Sequence, residues 1–163
     1  MKKITFIAIA SIVIFACTPK KETNDNLNKF NKNLVTAKQF IEVFSARDSI
    51  KEAALFSEDF TWDGTEIGQD ALPKEALLNG DKGIMKMFKE IKFEDADFYP
   101  GLDSTYQLNS DVRVYGTWVS KFASNGKTSR MKYYAVFHFN DAGLITGLRE
   151  RCNVADLTKE LDK

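Results

Sequence analysis

The strongest constraint on this chain is a change in the spacing of its apolar residues. Near the N-terminus they recur at intervals of three and four, as one face of a helix requires, at Leu27, Phe30, Leu34, Ala37, Ile41 and Phe44. From about residue 93 the apolar positions alternate with polar ones, as in half-buried strands, most clearly over residues 112–122 and 131–139. Helices followed by an antiparallel sheet predict the α+β class.

Capping and turn residues divide this pattern into elements. Thr23 to Asp25 offers an N-cap for the long helix, and Asp48 caps a short second helix that reaches Phe56. A brief strand at Phe60–Asp63 precedes a helical turn at Pro73–Leu78. The predicted third helix starts at Asn79-Gly80-Asp81, with Ile84, Met87, Phe88 and Ile91 facing inward.

The second half of the chain predicts a series of strands and tight turns. Phe93 to Tyr99 reads as a strand that ends at Pro100-Gly101. Asn125-Gly126 is a strong hairpin signal between the two alternating segments. Asp141-Ala142-Gly143 then turns the chain into a last strand, from Leu144 to about Cys152. Alternation places Trp118 and Tyr133 on the inner face of the sheet and His138 on the outer face.

The first seventeen residues, MKKITFIAIASIVIFAC, predict export of the protein. Lys2 and Lys3 precede an apolar run over residues 4–16, which is shorter than the roughly 20 residues of a membrane-spanning helix. The sequence Ile14-Phe15-Ala16-Cys17 resembles a bacterial lipobox. It predicts lipid attachment at Cys17 and cleavage before it.

This signal predicts the domain organisation and the location. Residues 1–16 form a signal peptide, residues 17–26 a lipid-anchored polar tether, and residues 27–163 one domain. The acyl chains on Cys17 would hold the protein on a membrane. Because Thr18 and not aspartate follows the cysteine, we expect the outer membrane of a Gram-negative bacterium, with the domain periplasmic or surface-exposed.

Composition argues against several function classes. Lys plus Arg and Asp plus Glu both number 23, so there is no basic excess and we expect no nucleic-acid partner. The single histidine and the pair of cysteines make a metal site improbable, and no motif indicates a cofactor. If Cys17 carries lipid, Cys152 is a free thiol that fills apolar space on a strand.

Three stretches resemble the nuclear transport factor 2-like superfamily, in particular its SnoaL-like, polyketide-cyclase branch. They are AKQFIEVFSARD with the following Phe60–Asp63, Asn79–Ile84 leading into Met87-Phe88, and Phe137–Ile145 followed by Arg149–Asn153. The resemblance implies a cone-shaped barrel, in which three N-terminal helices pack on a strongly bent, mixed or antiparallel sheet. It also implies an apolar interior pocket, which relatives use for isomerisation, cyclisation, hydration or binding alone.

The candidate pocket residues are aromatic side chains with one carboxylate. We favour the interpretation that these side chains form part of the packed core, as aromatic residues at strand spacing usually do. The functional interpretation is that they line a ligand pocket: Trp62, Phe88, Trp118, Tyr133, Phe137 and Glu150.

Glu150 and Asp63 are the candidate general bases. Glu150 alternates onto an apolar face with Leu148 and Cys152, where burial would raise its pKa. We nevertheless expect it at the rim, paired with Arg149 or Arg151. Asp63 precedes Gly64 and suits either the cone mouth or a turn. Asn153 stands where relatives often carry an aspartate, and asparagine cannot act as a base.

The sequence thus favours a lipid-anchored binding or accessory domain for a small apolar or amphipathic ligand. The first alternative is a SnoaL-like isomerase, cyclase or hydratase that uses Glu150 or Asp63. The second is a homodimer or protein-interaction module that uses the outer sheet face, formed by Arg113, Tyr115, Val119, Tyr134, Val136 and His138. Convergence of at least two titratable groups in one pocket would distinguish an enzyme from a binding module.

Overall fold

The computed structural model describes residues 21–161 as helices packed against one mixed sheet. The helices are α1 (Lys21–Ser45), α2 (Ser49–Ala53), α3 (Lys74–Met87) and α4 (Val154–Thr158). The strands are β1 (Phe56–Asp63), β2 (Leu72–Pro73), β3 (Phe88–Leu102), β4 (Leu108–Phe122), β5 (Thr128–Phe139) and β6 (Ile145–Cys152). The predicted α+β class is confirmed.

The sheet has six strands in the order β2-β1-β6-β5-β4-β3. All neighbours are antiparallel except β1 and β6, which run parallel. The resemblance implied a cone-shaped barrel, and this part of the prediction is wrong because the sheet is open. Its edges are the two-residue β2 and the long β3, and these do not pair with each other. Pro100 and Gly101 lie within β3 and do not end it, since an edge strand tolerates proline.

Helix α1 covers one side of the sheet with a broad apolar face. Its buried residues include Phe30, Ala37, Phe40 and Phe44, whereas the predicted stripe member Leu27 is exposed. The Phe40 ring lies 5.2 Å from that of Phe137 on β5. The predicted N-cap at 23–25 is wrong, because these residues already lie inside the helix. Asp48 does cap α2 and accepts a hydrogen bond from the Lys51 N–H.

Helix α3 differs from its prediction at both ends. It runs without interruption from Lys74 through Asn79 and Gly80, and its buried residues Leu77, Asp81 and Met85 recur every four positions. Asp81 is therefore an inward-facing helix residue and no cap. The helix ends at Met87, and Phe88 and Ile91 belong to β3 instead. Pairing with Phe122 and Ser120 of β4 explains this, since the strand ladder overrides the helical spacing.

The inner face of β4 and β5 confirms the predicted alternation. Five β4 side chains on this face are buried, namely Val112, Val114, Trp118, Ser120 and Phe122. Five on β5 are buried opposite them, namely Ser129, Met131, Tyr133, Ala135 and Phe137. Gly126 takes a φ of 72° in the turn that joins the two strands, as the Asn-Gly signal predicts.

The predicted signal peptide, Cys17 and the first part of the tether lie outside the described residues. Within residues 21–161, no helix combines the length and the apolar character that a membrane crossing needs.

Candidate functional site

A cavity of about 310 Å³ lies between α1, α3, α4 and the inner face of the sheet. Most of its wall is apolar, formed by residues such as Phe40, Phe44, Leu77, Ile84, Trp118, Met131 and Leu157. Polar side chains from β1, β4, β5, β6, α3 and the segment between β1 and β2 also line it: Trp62, Ser120, Tyr133, Glu150, Cys152, Asp81, Thr65, Glu66 and Gln69. An apolar cavity with a few polar groups is the usual form of a small-molecule site.

Glu150 is held in this cavity by two aromatic donors. The Trp62 indole Nε1–H donates to its Oε2 over 2.8 Å, and the Tyr133 hydroxyl donates to its Oε1 over 2.6 Å. Trp62 comes from β1 and Tyr133 from β5, the strands on either side of β6. The predicted rim position with an arginine partner is therefore wrong, because the alternation of β6 turns Glu150 inward and its arginine neighbours outward.

Burial and hydrogen bonding act in opposite directions on Glu150. Desolvation raises the pKa of its carboxyl group, while the bonds from Tyr133 and Trp62 lower it, and the net pKa is raised. The pKa of Tyr133 lies well above its ordinary value because of burial first and of the Glu150 charge second. Tyr133 therefore keeps its proton at neutral pH and acts as a hydrogen-bond donor.

A second pair of carboxyl groups lies beside Glu150. Glu52 is fully buried and is the single inward residue of α2, and Asp81 on α3 is 8% exposed. Burial raises the pKa of Asp81 well above its ordinary value, and Glu52 and Glu150 raise it further. Burial also raises the pKa of Glu52, while a hydrogen bond from Asp81 lowers it. Of the two carboxyl groups, Asp81 has the pKa that is raised further, so the protonated form is favoured more at Asp81 than at Glu52.

The predicted ligand-binding residues fall into two groups. Trp62, Trp118, Tyr133 and Glu150 line the cavity. Phe88 and Phe137 do not, which corrects their assignment as pocket residues: both are fully buried in the core. The Phe88 ring packs 4.5 Å from Phe122, and Phe137 packs against α1, so neither reaches the open space.

Asp63, the other candidate base, lies outside the cavity. Its Oδ2 accepts a hydrogen bond from Arg149 Nε at 2.8 Å and lies 3.3 Å from Arg151 Nη2. The hydrogen bonds from Arg151, and then from Arg149, lower the pKa of Asp63. The two arginines thus pair with Asp63 and not with Glu150. A paired carboxylate of lowered pKa is a poor general base.

Three further residues discussed from the sequence, Cys152, His138 and Asn153, have contacts that fit a structural role. Burial and the nearby Glu150 raise the pKa of the Cys152 thiol to about 11, so this free thiol is not a thiolate at neutral pH. His138 lies on the outer face, with Nδ1 3.0 Å from Asp111 Oδ2. Asn153 is the N-cap of α4 and accepts from the Ala155 N–H.

Sequence reasoning missed Asp81, Glu52 and helix α4. The spacing of Leu77, Asp81 and Met85 could have revealed Asp81 as an inward residue, if Gly80 had not been taken as a break. Glu52 gives no such signal, because α2 has five residues and shows no apolar period. Val154 and Leu157 of α4 line the cavity and follow a strand predicted to end the fold.

Metal binding finds no support in the part of the chain that the structure describes. Residues 21–161 contain no group of three or more His, Cys, Asp or Glu side chains arranged to hold an ion.

The fold is an open mixed sheet with helices packed on its inner face, and the two enclose an apolar cavity. This is the arrangement of a nuclear transport factor 2-like domain. The family model described as a SnoaL-like domain matches residues 37–148. The chain therefore belongs to the SnoaL-like family. No curated protein matches the sequence.

Solved structures share this fold at low sequence identity. A proposed isomerase from Bacillus subtilis superposes with a TM-score of 0.68 at 19% identity, over 83% of this chain and 96% of its own. A proposed polyketide cyclase from Xanthomonas campestris pv. campestris gives 0.66 at 14%, over 82% and 98%. A phenazine biosynthesis-related protein from Pseudomonas aeruginosa gives 0.62 at 18%, over 85% and 90%. At these identities the likeness concerns the fold.

Proposed function

We propose that this protein is a binding domain for a small, largely apolar molecule. The observation that carries the proposal is the cavity of about 310 Å³, in which an apolar wall surrounds one fixed carboxylate, Glu150. Such a cavity has the size of a small-ligand site, and its polar groups are few and oriented. Burial of apolar ligand surface would supply most of the affinity, and the carboxylate would orient the ligand.

An isomerase, cyclase or hydratase that uses Glu150 or Asp63 has weaker support. Asp63 is ion-paired on the outside of the sheet. Both carboxylate oxygens of Glu150 already accept a strong hydrogen bond, which fixes them in place and opposes the rise in pKa that burial causes. Asp81 and Glu52 do converge on the same region, but burial and the neighbouring carboxyl groups raise the pKa of Asp81 well above its ordinary value, which disfavours its carboxylate form. The names of the structural relatives do not alter this balance, since the fold hosts many functions.

We also propose that the domain is anchored in the cell envelope, through lipid on Cys17. The lipobox-like Ile14–Cys17 after a charged start and a short apolar run supports this part of the proposal. The polar segment between Cys17 and the start of α1 at Lys21 would then separate the domain from the membrane surface. Ligands that reach the domain would come from the outer-membrane environment, on its periplasmic or external side.

Fluorescence of an uncharged aromatic dye tests the binding proposal. We expect N-phenyl-1-naphthylamine to bind the purified full chain and to fluoresce more strongly on entering the cavity. The variant Ile84→Trp, which enlarges a residue of the cavity wall, should abolish the increase. Its matched control is Ile50→Trp on α2, where Ile50 is 83% exposed, and this variant should bind like the wild type. Equal binding by both variants would disprove the cavity as the site.

A further inference from the structure

The cavity carries acidic groups without a basic counterpart. Glu66, Asp81 and Glu150 line it, and Glu52 lies behind Asp81 within its hydrogen-bonding reach. Among the lining residues that the structure describes, there is no lysine, arginine or histidine. Arg149 and Arg151, the nearest candidates in sequence, contact Asp63 on the other face of the sheet. The carboxyl groups therefore repel one another, which helps to raise the pKa of Asp81, and no lining side chain supplies a positive charge to relieve this repulsion.

Apart from the interaction between Asp81 and Glu52 themselves, part of the acidic hydrogen-bonding capacity has no donor. Within residues 21–161, no N–H or hydroxyl donor reaches Asp81 Oδ2 or either carboxylate oxygen of Glu52. Only 8% of Asp81 is exposed to solvent, and this residue lines the cavity. Buried polar atoms are normally paired, and an unpaired one is a candidate contact for a bound molecule. A donor supplied by a ligand would complete the site.

Aromatic rings surround these carboxyl groups. Trp62 and Tyr133 hold Glu150, and the Trp118 ring lies 5.8 Å from that of Tyr133. The negative faces of such rings attract a cation that has left water, and they also pack against the apolar body of a ligand. Both features fit the same molecule.

We propose that the ligand of this cavity is an amphipathic amine, whose ammonium group meets Asp81 and Glu150 and whose apolar body lies against the aromatic wall. An ammonium group brings three donors, no acceptor and a positive charge. Asp81 Oδ2 has no N–H or hydroxyl donor within residues 21–161, and no lining side chain carries a positive charge. A neutral alcohol would supply a donor without the charge, and a carboxylate would add a further negative charge. The inference rests on the proposed binding function and specifies its ligand class.

Displacement of the bound dye separates these chemistries. The competitors are 2-phenylethylamine, 2-phenylethanol and 3-phenylpropanoate, which share a phenyl body and differ in their polar end. At pH 7 we expect the amine to displace N-phenyl-1-naphthylamine at a concentration at least about tenfold lower than the alcohol, as a buried charge pair would give. The carboxylate should be the weakest competitor.

Two variants test whether the carboxyl cluster causes the preference. Asp81→Asn and Glu150→Gln should each reduce the amine-to-alcohol ratio by about tenfold, while displacement by the alcohol changes little. The matched control Asp63→Asn removes a carboxylate outside the cavity and should leave the ratio unchanged. Unchanged displacement by 2-phenylethanol also shows that a variant has kept its cavity.

The outcomes separate this inference from the function on which it rests. If the dye binds but the amine displaces it no better than the alcohol, the amine class is wrong and the binding proposal stands. An amine preference that persists in both cavity variants would likewise overturn the role of the cluster. If the dye does not bind at all, the binding function fails, and the amine inference fails with it.

Discussion

Trp118 connects the packing of several elements around the cavity. Its ring lies 4.8 Å from Phe44 of α1, 4.5 Å from Phe93 of β3 and 5.8 Å from Tyr133 of β5. The side chain is 5% exposed. Alternation along β4 was sufficient to predict this inward position, because residues of the same parity share a face.

Truncating Trp118 should be strongly destabilising. Trp118→Ala removes a buried aromatic group in contact with three elements, and we expect the free energy of unfolding to fall by about 3–5 kcal/mol. Urea denaturation measures the change. Ile67→Ala, at a fully exposed position, should stay within about 0.5 kcal/mol of the wild type. A near-wild-type value for Trp118→Ala would contradict the observed burial.

Asp81 should make the stability of the protein depend on pH. Its pKa is higher in the folded chain than in the unfolded one, so the folded state binds more protons between these two values. The stabilisation is complete below the unfolded pKa, near 4, and is lost as pH rises through the folded pKa. The wild type should therefore be less stable at pH 8 than at pH 5.

Asp81→Asn should remove much of this slope and raise the melting temperature at pH 8. The exposed Asp59→Asn is the control and should keep the wild-type profile. Thermal melts between pH 5 and 8 measure both. Because burial also raises the pKa of Glu52 and of Glu150, some slope should persist in Asp81→Asn. A wild-type profile in that variant would contradict a proton held on Asp81.

At the scale of elements, strand β3 depends on a close approach to β4. Its register shifts between Glu94 and Asp97, and Asp95 takes a φ of 54° at this irregularity. The Phe93 ring fills the space beside Gly116 of β4, where an added Cβ would lie 2.3 Å from the ring and 3.0 Å from the Glu94 carbonyl oxygen. Because Gly116 has no side chain, the Phe93 ring can lie over it and pack against Trp118.

Glycine-to-alanine changes on β4 and α3 should have opposite effects. Gly116→Ala should lower the free energy of unfolding by about 1–3 kcal/mol, since the ring and the β3 backbone must move. Gly83→Ala on α3, where nothing lies within 4 Å of the added Cβ, should raise it by about 0.4–1 kcal/mol. Urea denaturation of both variants tests the pair. A stabilising Gly116→Ala would show that β3 does not require the close approach.

The scale of the whole molecule includes its attachment to the membrane. We predict that wild-type protein produced in a Gram-negative host incorporates a fatty-acid analogue, and that Cys17→Ser does not. Cys152→Ser is the matched control and should keep the label, because Cys152 is an interior thiol of the domain. An unlabelled wild type would contradict lipid attachment.

The outer face of the sheet is the second surface of interest at this scale. Tyr99, Tyr115 and Tyr134 form a row, with ring centroids 6.0 Å and 4.7 Å apart. Tyr99 is 50% exposed and Tyr115 is 43% exposed, whereas Val136, predicted as part of this face, is 9% exposed. Homodimerisation or partner binding through this face stays a prediction.

The sequence by itself determined the elements whose signal is local. Local signals depend on residues a few positions apart in the chain, as in the helical spacing of α1, the alternation of β4 and β5 and the Asn-Gly turn. The resemblance to the family was also visible at this level. The alternation predicted the inner positions of Trp118 and Tyr133 as well. Local signals failed at α3, where a glycine inside the helix resembled a break, and at Phe88, where pairing with β4 outweighed helical spacing.

Only the tertiary structure decided the chemistry of the cavity. Glu52, Asp81 and Glu150 come from α2, α3 and β6, so no spacing along the chain could show that they meet. Whether Glu150 pairs with an arginine or with Trp62 and Tyr133 depends on which strands flank β6, and this is a property of the sheet order. The physical reason is that burial and charge act through space, and a carboxylate's pKa reflects the groups folded around it.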